Sequence, residues 1–201
     1  MRMLSLIALV SLSGQIVMAD EKRQLDAHEH GVGQLNIAFD GAQIAIELHA
    51  PGSDIVGFEY PARTNEERDK VAMGVATLAR PMDLFTFPAA AQCSVVQASA
   101  ELEKEEEHSD HDHAHEGHDH GEEHDHAHAD DNHAGDTPHS EFHAEYLLEC
   151  SDPNSASVIE FAYFDVFPNA EKLEVQVISD AGSNAFDVTR SAPTLDLRGM
   201  F

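Results

Sequence analysis

Between Glu101 and Pro138 the chain has almost no large apolar side chain, and this interruption limits what the rest can build. Its centre reads His108-Ser-Asp-His111-Asp-His113-Ala-His115-Glu-Gly-His118-Asp-His120, followed by His124, His126, His128 and His133. Ten of the 26 residues from His108 to His133 are His. From Glu101 to Asp136 there are 15 Asp or Glu against one Lys, a net of −14 out of −27 for the whole chain of 201 residues. Such a stretch has too little apolar surface to offset the entropy of ordering it, so it is expected to be disordered without a ligand. The fold must then come from residues 20–100 and 139–201, read together as a single domain with 101–138 as an insertion.

The first 19 residues read as a cleavable signal peptide. Arg2 supplies the positive start, Leu4 to Leu12 is apolar, and Val17-Met18-Ala19 offers a cut after Ala19. Ser11, Ser13, Gly14 and Gln15 interrupt the apolar run, which is too short to span a bilayer, and no other stretch is a better candidate. The expectation is an exported chain that is not an integral membrane protein. In an oxidising compartment Cys93 and Cys150 read as a disulfide, with two buried free thiols as the alternative. The acidic balance excludes nucleic acid, whose phosphates need a positive stripe, and argues against adhesion to an anionic membrane.

Leu35, Ile37 and Phe39 alternate with polar or small residues, as do Ile44, Ile46 and Leu48, with Asp40-Gly41 between them. This predicts a hairpin. Pairing Phe39 with Ala42 places Ile37 opposite Ile44 and Leu35 opposite Ile46, on one buried face. A loop over Pro51-Gly52-Ser53-Asp54 and the run Ile55 to Tyr60 follow. Thr64 and Glu67 then fit a capping box for a helix with Val71, Val75 and Leu78 on one face, stopped at Arg80-Pro81. After a short apolar piece, Leu84 to Phe87, a strand is expected from about Cys93 to Ser99. Beyond the insertion, Phe142 to Cys150, Val158 to Phe164, Leu173 to Ile178, Phe186 to Thr189 and Leu195 to Leu197 read as strands. If the strands flanking the insertion form one long hairpin, Cys93 and Cys150 meet at its base. The fold class is α+β: antiparallel β-sheets with one or two short helices, interrupted by a long disordered His/Asp/Glu-rich loop.

Imidazole nitrogens mixed with carboxylates suit Zn²⁺, with Cu²⁺, Ni²⁺ and Co²⁺ as further candidates. The candidate ligands of the loop are His108, His111, His113, His115, His118, His120, His124, His126, His128 and His133, expected to bind several ions weakly. Strand parity marks a second group. His28 and His30 point away from the core, as do Glu47 and His49 across the hairpin, and the expected register sets His49 opposite Val32 with His30 diagonal to it. Glu59 is a further oxygen donor. His139 and His143 share parity with Glu141, forming a similar face beside the loop. Surface positions without a ligand remain the alternative for these residues.

Two runs are similar to the opening signature of the ZrgA-type proteins, periplasmic zinc-binding proteins of Gram-negative bacteria. They are His28-Glu-His30-Gly31-Val-Gly33-Gln-Leu35 and Glu47-Leu-His49-Ala-Pro51-Gly52-Ser-Asp54-Ile-Val-Gly57-Phe58-Glu59-Tyr60. The His-rich stretch, Phe142 to Cys150, Phe167-Pro168 and Leu195-Asp-Leu197 also resemble the family's layout, over nearly all of the mature chain. The resemblance implies a periplasmic component of a zinc-uptake system, working beside an ABC-type importer and binding zinc and related divalent ions. It assigns no ligands, so the ranking of His28, His30, Glu47, His49 and Glu59 rests on parity. The reading is a zinc-binding uptake protein, with a loop that collects ions and a folded site that holds one. The alternative is a periplasmic metal buffer or resistance protein with no transporter partner. The residues show no nucleophile triad, phosphate cradle or redox Cys-x-x-Cys. A metal-dependent hydrolase is the third alternative, and the chain is read as not an enzyme.

Overall fold

The computed structural model describes residues 29–104 and 139–200. The expected signal peptide, His28 and the histidines from His108 to His133 lie outside the described residues. Within them the protein is mostly β, with one mixed and one antiparallel sheet and few short helices.

Strand β1 (Val32–Asp40) turns into β2 (Gln43–Pro51), and their inward residues Leu35, Ile37, Ile44, Ile46 and Leu48 are all buried. The hairpin exists, but its register is two residues from the expected one: Phe39 faces Ile44, Ile37 faces Ile46, and Asp40 faces Gln43. The two-residue turn is Gly41-Ala42, with Gly41 at φ 56°, so Asp40 closes the ladder instead of entering the turn. A shift of two preserves parity, and the buried face is the one expected. It does move His49 opposite Gln34 instead of Val32.

The chain continues into a five-residue helix, α1 (Gly52–Val56), where a loop was expected. Gly57, at φ 84°, closes α1 in the left-handed conformation that glycine adopts at least cost. Helix α2 (Asn65–Leu78) carries the expected capping box, with Glu67 N–H donating to Thr64 Oγ1 and Thr64 N–H donating to the Glu67 carboxylate. Leu78 is buried on the predicted face. Gly74 brings α2 close to Phe142, where an added Cβ would lie 3.3 Å from that ring.

Short α3 (Pro81–Leu84) and β3 (Phe85–Thr86) lead to β4 (Cys93–Lys104), which runs five residues past the expected end and through the boundary placed at Glu101. After the undescribed segment come β5 (Ser140–Cys150), β6 (Val158–Phe161), α4 (Tyr163–Val166), β7 (Lys172–Ser179), β8 (Gly182–Thr189) and β9 (Thr194–Asp196). The larger sheet has the order β4-β5-β2-β1-β7-β8, and a smaller one the order β3-β6-β9. Every pairing is antiparallel except β1 with β7, which is parallel. Alternation of apolar residues reads the same in either direction, so the sequence pattern carries no sign of that reversal.

One core holds the sheets together. Phe85 of β3 meets Tyr146 of β5 and Phe161 of β6, with ring centroids 6.2 and 5.4 Å apart. Three carbonyls, those of Phe164, Phe167 and Ala170, accept from the Arg190 guanidinium, which ties α4 and the residues after it to the end of β8. Cys93 and Cys150 face each other across β4 and β5 and form the expected disulfide, at a sequence separation of 57. Among the described residues no helix is long and apolar enough to cross a membrane.

Replacing both cysteines with Ala removes a loop-closure constraint worth about 4 kcal/mol on the chain-entropy model, and the midpoint of urea unfolding should fall accordingly. Asp54 gives a second expectation. It is 2% exposed, and burial pushes its pKa from 3.8 up to about 6. The ionised carboxylate therefore costs stability above pH 6, by up to about 3 kcal/mol, and the cost disappears as pH falls toward 4. Asp54→Asn, which keeps an acceptor for Gly31 N–H, should stabilise the protein in urea unfolding at pH 8 and have little effect at pH 4.

Candidate metal centre

The outward face of β5 carries Glu141, His143 and Glu145, and its two neighbours set what lies beside them. On one side His143 is directly opposite His49 of β2, and Glu145 opposite Glu47. On the other, His143 faces Glu101 and Glu141 faces Glu103 of β4. The two imidazoles stack, with ring centroids 4.5 Å apart and planes 19° from parallel.

Both rings turn the same nitrogen inward. His49 Nε2 lies 3.3 Å and His143 Nε2 lies 3.4 Å from one oxygen, Glu47 Oε1. Four ligands around zinc at its usual bond lengths stand about 3.3–3.5 Å from one another along the edges of a tetrahedron, so this spacing suits a shared ion. The opposite nitrogens are backed by carboxylates: His49 Nδ1 is 3.1 Å from Glu141 Oε2, and His143 Nδ1 is 3.3 Å from Glu103 Oε1. Carboxylates behind Nδ1 favour the tautomer with the proton on Nδ1, leaving the Nε2 lone pairs directed at the shared position. His143 Nε2 is itself buried without a hydrogen bond, its 3.4 Å approach to Glu47 lacking the angle for one. Asn36, opposite Glu47 on β1, donates to Glu47 Oε2 at 3.1 Å and fixes that carboxylate.

Electrostatics follow from this arrangement. The Asn36 hydrogen bond, against an opposing effect of burial and with help from His49 and His143, holds the Glu47 carboxyl below its ordinary range. The Glu141 hydrogen bond, again opposed by burial and reinforced by Glu47, raises the His49 pKa above 6.5. Glu47, His49 and His143 form a group of donor atoms able to hold one metal ion, and Glu101 and Glu103 form a second group with His143. Three protein donors leave a fourth position for water or an exchanging ligand.

A separate cluster lies just beyond the same end of these strands, where β5 begins and β2 ends. His30 sits in the turn before β1, not beside His49, because β1 begins at Val32 and the register carries His49 to Gln34. Its Nε2 is instead 3.1 Å from Glu59 Oε1, while His139 Nδ1 is 2.6 Å from Glu59 Oε2. The single site expected from His28, His30, Glu47, His49 and Glu59 is thus divided among the described residues, with His143 joining one part and His139 the other. Strand parity did not identify Glu103 or Asn36. The signal for Glu103 was present, because Ala98, Ala100 and Leu102 alternate with Ser99, Glu101 and Glu103 and pack toward the core.

A β-sheet protein with paired imidazoles and carboxylates on an open sheet face has the donor set of a metal-binding protein. The family model described as "ZrgA family zinc uptake protein" matches residues 27–197, and the chain belongs to that family. Comparison with curated proteins gives no match.

The raised His49 pKa leads to a measurable consequence. The pairing with Glu141 and Glu47 contributes its full stability below pH 6.5 and loses it as pH rises through the folded-state pKa. Glu141→Gln should bring the His49 titration, followed by the imidazole Cε1–H resonance, back down in pH. In the wild-type protein a proton on His49 competes with a metal ion, so affinity at this cluster should drop as pH falls through that raised value.

Proposed function

We propose that this is a periplasmic zinc-binding protein serving zinc uptake, in which the Glu47, His49 and His143 cluster holds one divalent ion. The observation that carries the reading is the convergence of two Nε2 atoms on one carboxylate oxygen, with a second carboxylate behind each ring. Family membership supports zinc as the ion. The donor set also suits Cu²⁺, Ni²⁺ and Co²⁺. The disulfide and the sequence of the first 19 residues support an exported, periplasmic location. The His-rich stretch from His108 to His133 acts as the collector, raising the supply of weakly held ions near the folded cluster. The zinc is cargo and the protein a carrier, not an enzyme. It delivers to an ABC-type importer, and ready release suits a partly exposed site with an open coordination position.

Titration calorimetry with Zn²⁺ on residues 20–201 should resolve one tight event and several weak ones. Deleting residues 105–138, which leaves β4 and β5 whole, should remove the weak events and keep the tight one. Substituting His49 and His143 together by Ala should remove the tight event and keep the weak ones. An unchanged tight event in that variant would refute the assignment. A deletion strain should grow poorly when zinc is scarce; a defect seen only in excess zinc would show a buffer without a transporter.

A further inference from the structure

Glu59 is the meeting point of three distant parts of the chain. Its side chain is 11% exposed, and both of its oxygens are engaged. Oε1 accepts from Ser53 Oγ at 2.7 Å and lies 3.1 Å from His30 Nε2; Oε2 lies 2.6 Å from His139 Nδ1. The placement is built from below. Ser53 belongs to α1, and Gly57 ends that helix so that Phe58-Glu59 folds back over it. Gly52 lets α1 press against the start of β5, since a Cβ there would stand 2.6 Å from Ser140 Oγ. His139 is therefore delivered beside Glu59 by the strand that α1 abuts.

A second anion lies beneath. Asp54 is 98% buried on the same turn, its Oδ1 accepting from Gly31 N–H at 2.8 Å and lying 3.3 Å from Ser53 Oγ. Its other oxygen, Oδ2, is buried with no hydrogen-bond partner. The Ser53 hydroxyl thus stands between two carboxylates, and the ion pairs of Glu59 among the described residues are with imidazoles. Two imidazole nitrogens, a bidentate-capable carboxylate and a second carboxylate beneath are the kinds of donor that a borderline divalent cation takes.

We propose that His30, Glu59 and His139 form a second, separate cation site that binds a divalent transition-metal ion of the zinc class. His139 follows His133 by six residues in the sequence, so the site is close along the chain to the His-rich stretch. This deepens the carrier reading, yet its chemistry is independent of the sheet-face cluster.

The test uses the complete mature chain with His49→Ala and His143→Ala, which removes the sheet-face cluster. Zinc is titrated while the Cε1–H resonances of His30 and His139, assigned from single His→Gln variants, are followed by NMR. Both resonances should move together and saturate at one equivalent for this site. In the same background Glu59→Gln, which keeps a side-chain oxygen acceptor, should weaken that response at least about tenfold. Resonances that answer to pH but not to zinc would show an ion-pair latch and overturn the proposal. So would independent movement of the two rings, or an unchanged response in Glu59→Gln. His49 and His143 in the wild-type chain report the sheet-face cluster separately, so failure of either site is distinguishable from failure of the other.

Discussion

Strand β5 is paired on both edges, to β2 and to β4, and the register of those two ladders decides where every polar group of the open sheet face lies. Ser140, Phe142, Ala144, Tyr146, Leu148 and Cys150 all point inward and are buried. A slip of one residue would put the whole set into water, so the register is held by the hydrophobic cost of moving it. With that register set, His143 can only lie between Glu101 and His49, and Glu141 only beside Glu103. The disulfide closes the far end of the β4–β5 ladder and ties together the two strands that flank the His-rich stretch.

The polar cluster is therefore placed by the sheet, and not by its own attractions. Ion pairs between partly exposed side chains contribute little individually. Both His49 and Glu47 remain partly accessible. What the cluster does have is a set of carboxylates around two rings: Glu141 and Glu47 raise the His49 pKa, while the Asn36 hydrogen bond and the two imidazoles lower that of Glu47 and keep it anionic. The same economy appears around Glu59, where α1 and its Gly57 cap hold a carboxylate over a buried Asp54. The two anionic positions lie near the same end of the β2–β5 ladder, four residues apart along the chain at His139 and His143.

Much of this was legible in the residues. Alternation marked the hairpin and β5, the Thr64–Glu67 pair marked the start of α2, and two cysteines flanking the His-rich stretch marked the base of a long hairpin. Glu47, His49 and His143 were all identified as outward donors by parity alone. The turn could not be read to the residue, because Asp40-Gly41 and Gly41-Ala42 are both two-residue turns with glycine and differ only in the position glycine occupies. That ambiguity cost nothing in burial, yet it was enough to separate His30 from His49.

The sequence by itself determined which residues of the strands face outward and that donors of the zinc class are concentrated in the protein, because side-chain period and composition are local properties. Only the tertiary structure decided which donors meet. His49 with His143 and His30 with His139 are partners across 94 and 109 residues, and their meeting depends on the pairing of β2 with β5 and the packing of α1 against Ser140. Alternation specifies a face but not a neighbour, and the parallel pairing of β1 with β7 leaves no trace in it. Neighbours are chosen by the closure of the whole core, which is a property of all the strands at once.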